Sequence, residues 1–140
     1  MKRNLVLLSL AAILAVTAGL AYAGAGTAMR ITVPFDFYLE DQLLPAGDYR
    51  IEMGSGFVPT ASRVTIRAVD GTGIRILLTL SETGSGDDSS YLKFNRYGER
   101  YFLSSVSIGN NKAKVKMYTL EKELRSQNQE SQVTTLVAQK

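Results

Sequence analysis

The chain has 140 residues, 45% of them hydrophobic and 21% charged, with a formal net charge of +3 and neither His nor Cys. That length bounds it to one domain, and the composition is that of a chain able to fold rather than of a disordered one. Without His or Cys, imidazole general bases, thiol nucleophiles, disulfides and the usual nitrogen and sulfur zinc ligands are all excluded.

Lys2 and Arg3 precede an almost purely apolar run over residues 5–16, and Ala21-Tyr22-Ala23 sets small residues at the two positions a signal peptidase reads. This predicts a signal peptide over residues 1–23, cleavage after Ala23, and export to the periplasm or out of the cell. An uncleaved anchor is the alternative. Residues 5–23 are barely long enough to span a bilayer, however, and they include Ser9, Thr17 and Gly19. After cleavage no membrane span is expected. Loss of Lys2 and Arg3 takes two charges from the formal +3 and leaves +1. A near-neutral domain lacks the basic footprint that nucleic acid requires, so no nucleic-acid partner is expected.

Residues 24–28 read as a small-residue leader. Over residues 29–40, Met29, Ile31, Val33, Phe35, Phe37 and Leu39 alternate with mostly polar neighbours, the period of a half-buried strand with that set inward. Pro34 lacks an N–H and marks an edge or a bulge within it. Residues 41–47 read as a connection carrying Pro45 and Gly47. Tyr49, Ile51 and Met53 resume the alternation, and residues 54–62 form a loop. Residues 63–69, with Val64 and Ile66 inward, lead through Asp70-Gly71 into a return strand built on Ile74, Ile76, Leu78 and Leu80.

Residues 81–90 are polar and Gly-rich. Strands over 91–96 and 101–108 flank Tyr97-Gly98-Glu99 as a further hairpin. Asn110-Asn111 marks the next turn. Lys112, Lys114 and Lys116 then alternate with Ala113, Val115 and Met117, as a Lys-guarded edge strand or as the run into a helix. Residues 119–125 form the one short helix: Leu120 and Leu124 share a face, and Glu121 can pair with Arg125. Residues 133–138 have β character and end a domain that runs from 29 to 140. The sum is a mostly all-β chain: an antiparallel β-sandwich or small β-barrel of seven to eight strands with one short C-terminal helix.

Three segments occur in order: Val33-Pro34-Phe35-Asp36-Phe37-Tyr38, Leu44-Pro45-Ala46-Gly47-Asp48-Tyr49-Arg50-Ile51, and Phe94-Asn95-Arg96-Tyr97-Gly98-Glu99-Arg100-Tyr101-Phe102-Leu103. Together they resemble a family of small exported proteins numerous in Acidobacteria and related soil bacteria. Glu121-Lys122-Glu123-Leu124 resembles the charged helical segment near that family's C-terminus. Members often carry an aromatic residue where this chain has Ser105 to Ser107. The resemblance implies export and a β-rich domain, and it carries over no catalytic residue.

Few residues suggest chemistry. Ser90-Tyr91-Leu92-Lys93 matches the S-x-x-K pattern, but at the start of a strand positions three apart point to opposite faces. Asp87 and Asp88 sit in a Gly/Ser loop without Ca²⁺-loop spacing. Asp36 and Glu40 share one strand face about 13 Å apart, too far for a glycosidase pair. An outer-membrane barrel needs strands of about nine to eleven residues, and only the run over 29–40 reads that long. No enzyme activity, cofactor or metal is expected.

The best candidate surface is the mixture of Lys93, Arg96, Tyr97, Arg100 and Tyr101 with nearby aromatics. Such mixing can stack bases or sugars, and it equally describes a hairpin whose Arg stems lie over its own rings. The expected function is therefore a non-catalytic binding module for a glycan, a small apolar ligand or an envelope protein. The alternative is a structural, envelope-associated protein acting through strand edges or self-association.

Overall fold

The computed structural model describes residues 27–55, 60–83, 89–127 and 129–138. The expected signal peptide, the first part of the leader and the Asp87-Asp88 pair lie outside them. Ten strands form one sheet: β1 (Thr27–Val33), β2 (Phe37–Leu39), β3 (Gln42–Leu44), β4 (Gly47–Ser55), β5 (Ala61–Ala68), β6 (Ile74–Thr83), β7 (Tyr91–Tyr97), β8 (Arg100–Ile108), β9 (Asn111–Lys114) and β10 (Gln132–Val137). A helix, α1 (Thr119–Ser126), lies between β9 and β10. The chain is thus mostly β with one short C-terminal helix, as the alternation predicts. It holds ten strands rather than seven or eight.

The two extra strands, β2 and β3, lie between Phe37 and Leu44. The alternating run over 29–40 is two strands, because the chain changes partner at Pro34. β1 pairs with β4, ending at Val33↔Gly47, whereas β2 pairs with β3 and runs parallel to β8 at Phe37↔Tyr101. Pro34 cannot donate to a ladder. The break is then filled by side-chain contacts: the Phe35 ring stacks on Tyr101 at 3.7 Å, and Asp36 Oδ1 accepts the Ala46 N–H at 2.8 Å. The expected connection over 41–47 contains β3. Glu40 and Asp41 form a tight turn with φ of 54° and 63°, and Leu39 pairs with Gln42 across it.

The other turns follow their sequence signals. Gly71, Gly98 and Gly109 each adopt positive φ at the hairpin tips. In the β5–β6 turn, Asp70 Oδ1 accepts from the Thr72 N–H at 2.9 Å and from its hydroxyl at 2.7 Å. β9 is not an edge. It lies between β6 and β8, pairing Leu80↔Lys114 on one side and Ser105↔Lys114 on the other.

From β1 the sheet runs through β4, β5, β6 and β9 to β8, whose other side carries β7 and then β10. β2 and β9 share one side of β8, paired to its two halves. The sheet does not close, so the small-barrel alternative gives way to an open, sandwich-like β-domain. β4, β6 and β8 reach nine, ten and nine residues, longer than their alternation suggested. A membrane barrel requires closure, because lipid cannot satisfy an open edge. No helix among the described residues is long and apolar enough to cross a membrane.

The core forms where the two limbs of the curled sheet face each other. Met29, Ile31, Val33, Ile51 and Val64 come from one limb and Leu92, Phe94, Leu103 and Val106 from the other. Phe37 bridges them, edge-to-face with Tyr49 at 5.3 Å and with Phe94 at 5.4 Å. Each such side chain, fully buried, contributes about 1.5–3 kcal/mol of transfer free energy. This core fixes which way every strand faces, and so what the outer surface presents.

Candidate functional site

The β7–β8 hairpin distributes its basic and aromatic residues over two faces. Paired residues on antiparallel strands share a face, and the registers are Arg96↔Tyr101 and Tyr97↔Arg100. Tyr101 faces the core side and stacks on Phe35, with the Arg96 guanidinium 5.4 Å from its ring centroid. Tyr97 faces the other way and is buried, edge-to-face with Phe102. Arg100 is exposed at the tip. Lys93 lies on the outer face, its amine 5.1 Å from the Tyr91 ring centroid. The structure therefore brings Arg96 to Tyr101 and leaves Lys93, Tyr97 and Arg100 apart from that pair. The Arg stem over a ring is the self-contained hairpin arrangement rather than an open stacking platform. Ser90 and Lys93 are also engaged separately: Ser90 Oγ accepts the Gly109 N–H at 3.3 Å.

Tyr97 belongs to a polar seam under α1. Glu121 is buried there; its Oε1 accepts from Asn95 Nδ2 at 2.7 Å and, more weakly, from the Tyr97 hydroxyl at 3.5 Å. Burial raises the Glu121 carboxyl above its ordinary value, against the opposing pull of the Asn95 and Tyr97 hydrogen bonds and of Arg125. Burial first, then the Glu121 charge, raises the Tyr97 phenol as well. The seam holds the helix on the sheet.

The outer surface of β6 is different. Ile74, Ile76, Leu78 and Leu80 point away from the core, with 49%, 63%, 63% and 68% of their surfaces exposed. Leu77 and Thr79 take the inward positions and are buried. Seven residues of strand carry this stripe over roughly 20 Å. Its flanks are cationic. On β5, Arg67 pairs with Ile74 and Arg63 with Leu78; on β9, Lys114 pairs with Leu80. Further out, Arg30, Arg50 and Arg67 align across three strands.

Two acids lie on this face in ion pairs, Glu52 with Arg50 at 2.7 Å and Glu82 with Lys112 at 3.3 Å. The Arg50 hydrogen bond, and the charges of Arg50 and Arg67, hold Glu52 below the ordinary carboxylate value. Among the described residues Arg63, Arg67 and Lys114 form no ion pair. Apolar patches rimmed by charge mark interaction sites more often than scattered exposed leucines do. Two signals for this face were in the sequence. The run from Ile74 to Leu80 has four apolar residues at one parity and Leu77 at the other, and the alternate positions of β5 outside its core set hold Arg63 and Arg67.

Two clefts lie among the described residues. One, of about 420 Å³, is lined by Arg30, Ile31 and Thr32 of β1, Asp48 of β4 and Val137 of β10. The other, of about 310 Å³, lies at the β5–β6 turn beneath β3, where Arg75 turns inward. No family model, curated protein or solved structure matches this chain.

Proposed function

We propose that this chain is an exported, non-catalytic binding module that docks through the outer face of β6 on an anionic, amphiphilic surface of the cell envelope. The observation that carries this reading is the stripe of Ile74, Ile76, Leu78 and Leu80 between the cations Arg63 and Arg67 on one side and Lys114 on the other. Apolar side chains gain by leaving water, and cations beside them gain near anionic headgroups, about 1 kcal/mol each. A second copy of the same face would meet these cations with its own, which disfavours self-association there. Export rests on the signal-peptide pattern over residues 1–23. Support for binding moves from the β7–β8 hairpin to β6, because the hairpin spends its rings on its own packing.

The test is co-sedimentation of the exported product with phosphatidylcholine vesicles, with and without phosphatidylglycerol. Binding should require the anionic lipid and weaken with salt. It should fall about tenfold or more in Leu78→Ser, from lost apolar burial. Parent and variant share one N-terminus, so their difference reports the β6 face alone. Equal binding by parent and Leu78→Ser would remove the face from the mechanism.

A second reading, a structural role through strand edges, is favoured by one observation: β1 and β10 both end the sheet and line one cleft. Unpaired edges are templates for strand addition. Concentration-dependent mass in light scattering that Leu78→Ser leaves unchanged would support it.

A further inference from the structure

The inner face of β6 holds an inconsistency with its surroundings. Arg75 pairs with Ile66 across β5, on the face that elsewhere builds the core. Its Nη1 donates to the Ile74 carbonyl at 3.1 Å, but its Nε is buried and has no hydrogen-bond partner among the described residues. A buried guanidinium donor without an acceptor carries the full desolvation cost of that group. Arg75 lines the 310 Å³ cleft, whose walls are otherwise largely apolar: Leu43 and Leu44 of β3, Pro45, Ile66 and Ala68.

The Tyr49, Asp70 and Thr72 side chains at this cleft are already engaged. The Tyr49 hydroxyl donates to the Pro45 carbonyl at 2.6 Å, and burial, followed by the charges of Asp70 and Asp36, keeps the phenol protonated. Asp70, at the exposed mouth, accepts both hydrogen bonds from Thr72. Its carboxylate is bonded and solvated, while the Arg75 Nε is neither. The buried donor left unanswered belongs to a cation. A cleft of this size is at the lower end of small-molecule sites, which combine apolar walls with a few fixed polar groups.

We infer that this cleft binds a small carboxylate with an apolar tail, the carboxylate accepting from Arg75 and the tail lying against Leu44, Ile66 and Ala68. This site is separate from the outer face of β6 and does not depend on the envelope-docking proposal. Asp70 at the mouth restricts the ligand to a single negative charge, since a second would meet it.

The probe is octanoate, titrated into the protein and followed by two-dimensional NMR, with octanol as the uncharged control. Octanoate should shift Ala68 and Tyr49 resonances and bind about tenfold to a hundredfold more tightly than octanol, the worth of one charge-assisted hydrogen bond. Arg75→Met keeps the stem and deletes the donors. It should fold at least as well as the parent and lose that preference. Arg75→Lys, which keeps the charge, should retain part of it and covers the case in which the Met variant fails to fold. Octanoate binding no tighter than octanol, an undiminished preference in Arg75→Met, or contacts away from Ala68 and Tyr49 would each overturn the inference.

Discussion

Asp41 and Leu120 are 79 residues apart in sequence, yet Asp41 Oδ1 accepts the Leu120 N–H at 2.9 Å. Asp41 Oδ2 takes the preceding N–H, that of Thr119, at 3.1 Å. The residue before α1 is Tyr118, which makes no side-chain cap of its own. The helix is therefore capped from the β2–β3 turn rather than from its own flank, and the Tyr118 hydroxyl returns a bond to Glu40 at 2.8 Å. Glu40 and Asp41 hold positive φ without being glycine, a conformation that costs roughly 1–2 kcal/mol per residue. The helix contacts answer that cost, and the turn in turn satisfies helix N–H groups that would otherwise lack partners.

Asp41→Ala removes both acceptors and keeps the unfavourable φ, so it should destabilise the domain by about 1–2 kcal/mol. Asp41→Asn tolerates the left-handed conformation and keeps one acceptor, so it should lose less than half of that. Urea denaturation of the two variants beside the parent checks this. Equal losses would mean that the single amide oxygen kept by Asn does not cap the helix, and that the full carboxylate is required.

The two parities of β6 make opposite predictions. Leu77→Ala opens a cavity in the core and should cost about 2–5 kcal/mol. Leu78→Ala, one residue on, should change stability by no more than about 0.5 kcal/mol, because 63% of Leu78 is already in water. Reversal of the two values would turn the strand over and withdraw the docking face with it. The pair also serves as a control, since an exposed-face variant that folds normally can be compared in binding without correction for unfolding.

The alternation over residues 29–40 was legible because its two sets differ sharply in polarity, and five of its six apolar members are buried. The Asp70-Gly71 and Gly98 turns were legible because local chemistry determines them. β6 was not: Leu77 and Leu78 are equally apolar, and only the register against Val64 and Arg63 decides which is inside. The division of the run over 29–40 at Pro34 was half visible, since proline signals an interrupted ladder but not a change of partner. β3 was hidden because Glu40-Asp41 lacks the glycine that usually marks so tight a turn. The cap by Asp41 and the isolation of Arg75 depend on contacts that no local pattern encodes.

Tyr97 and Tyr101 were prominent in the sequence as members of a binding cluster, and the fold commits both to packing. Tyr97→Ala empties a buried site beside Phe102 and Glu121, and it should cost about 3–5 kcal/mol, as truncating a large aromatic core residue does. Tyr97→Phe loses only the 3.5 Å hydrogen bond and should cost less than about 1 kcal/mol. Thermal unfolding separates the two. A Tyr97→Ala protein as stable as the parent would place the ring outside the core and return the hairpin to consideration as a binding surface.

Glu121 gives the fold a pH dependence whose sign can be worked out. Its carboxyl is raised in the folded state by burial, above an ordinary value of 4.5. The folded chain therefore binds a proton more tightly than the unfolded chain does. The stabilisation from that proton is complete below the ordinary value and is lost as pH rises through the raised one. Glu52 and Asp70, held low by their hydrogen bonds, act in the opposite direction: their contribution is present at neutral pH and lost on acidification. The parent's profile mixes these terms, so the useful quantity is its difference from Glu121→Gln, which resembles the protonated acid at every pH. Near pH 4 the two proteins should unfold at similar urea concentrations. As pH rises to about 7 the Gln variant should become the more stable, because it no longer holds a charge under α1. A difference between the two that stays constant from pH 4 to 7 would show that Glu121 is solvated in the folded state, and that α1 does not seal the seam over Asn95 and Tyr97.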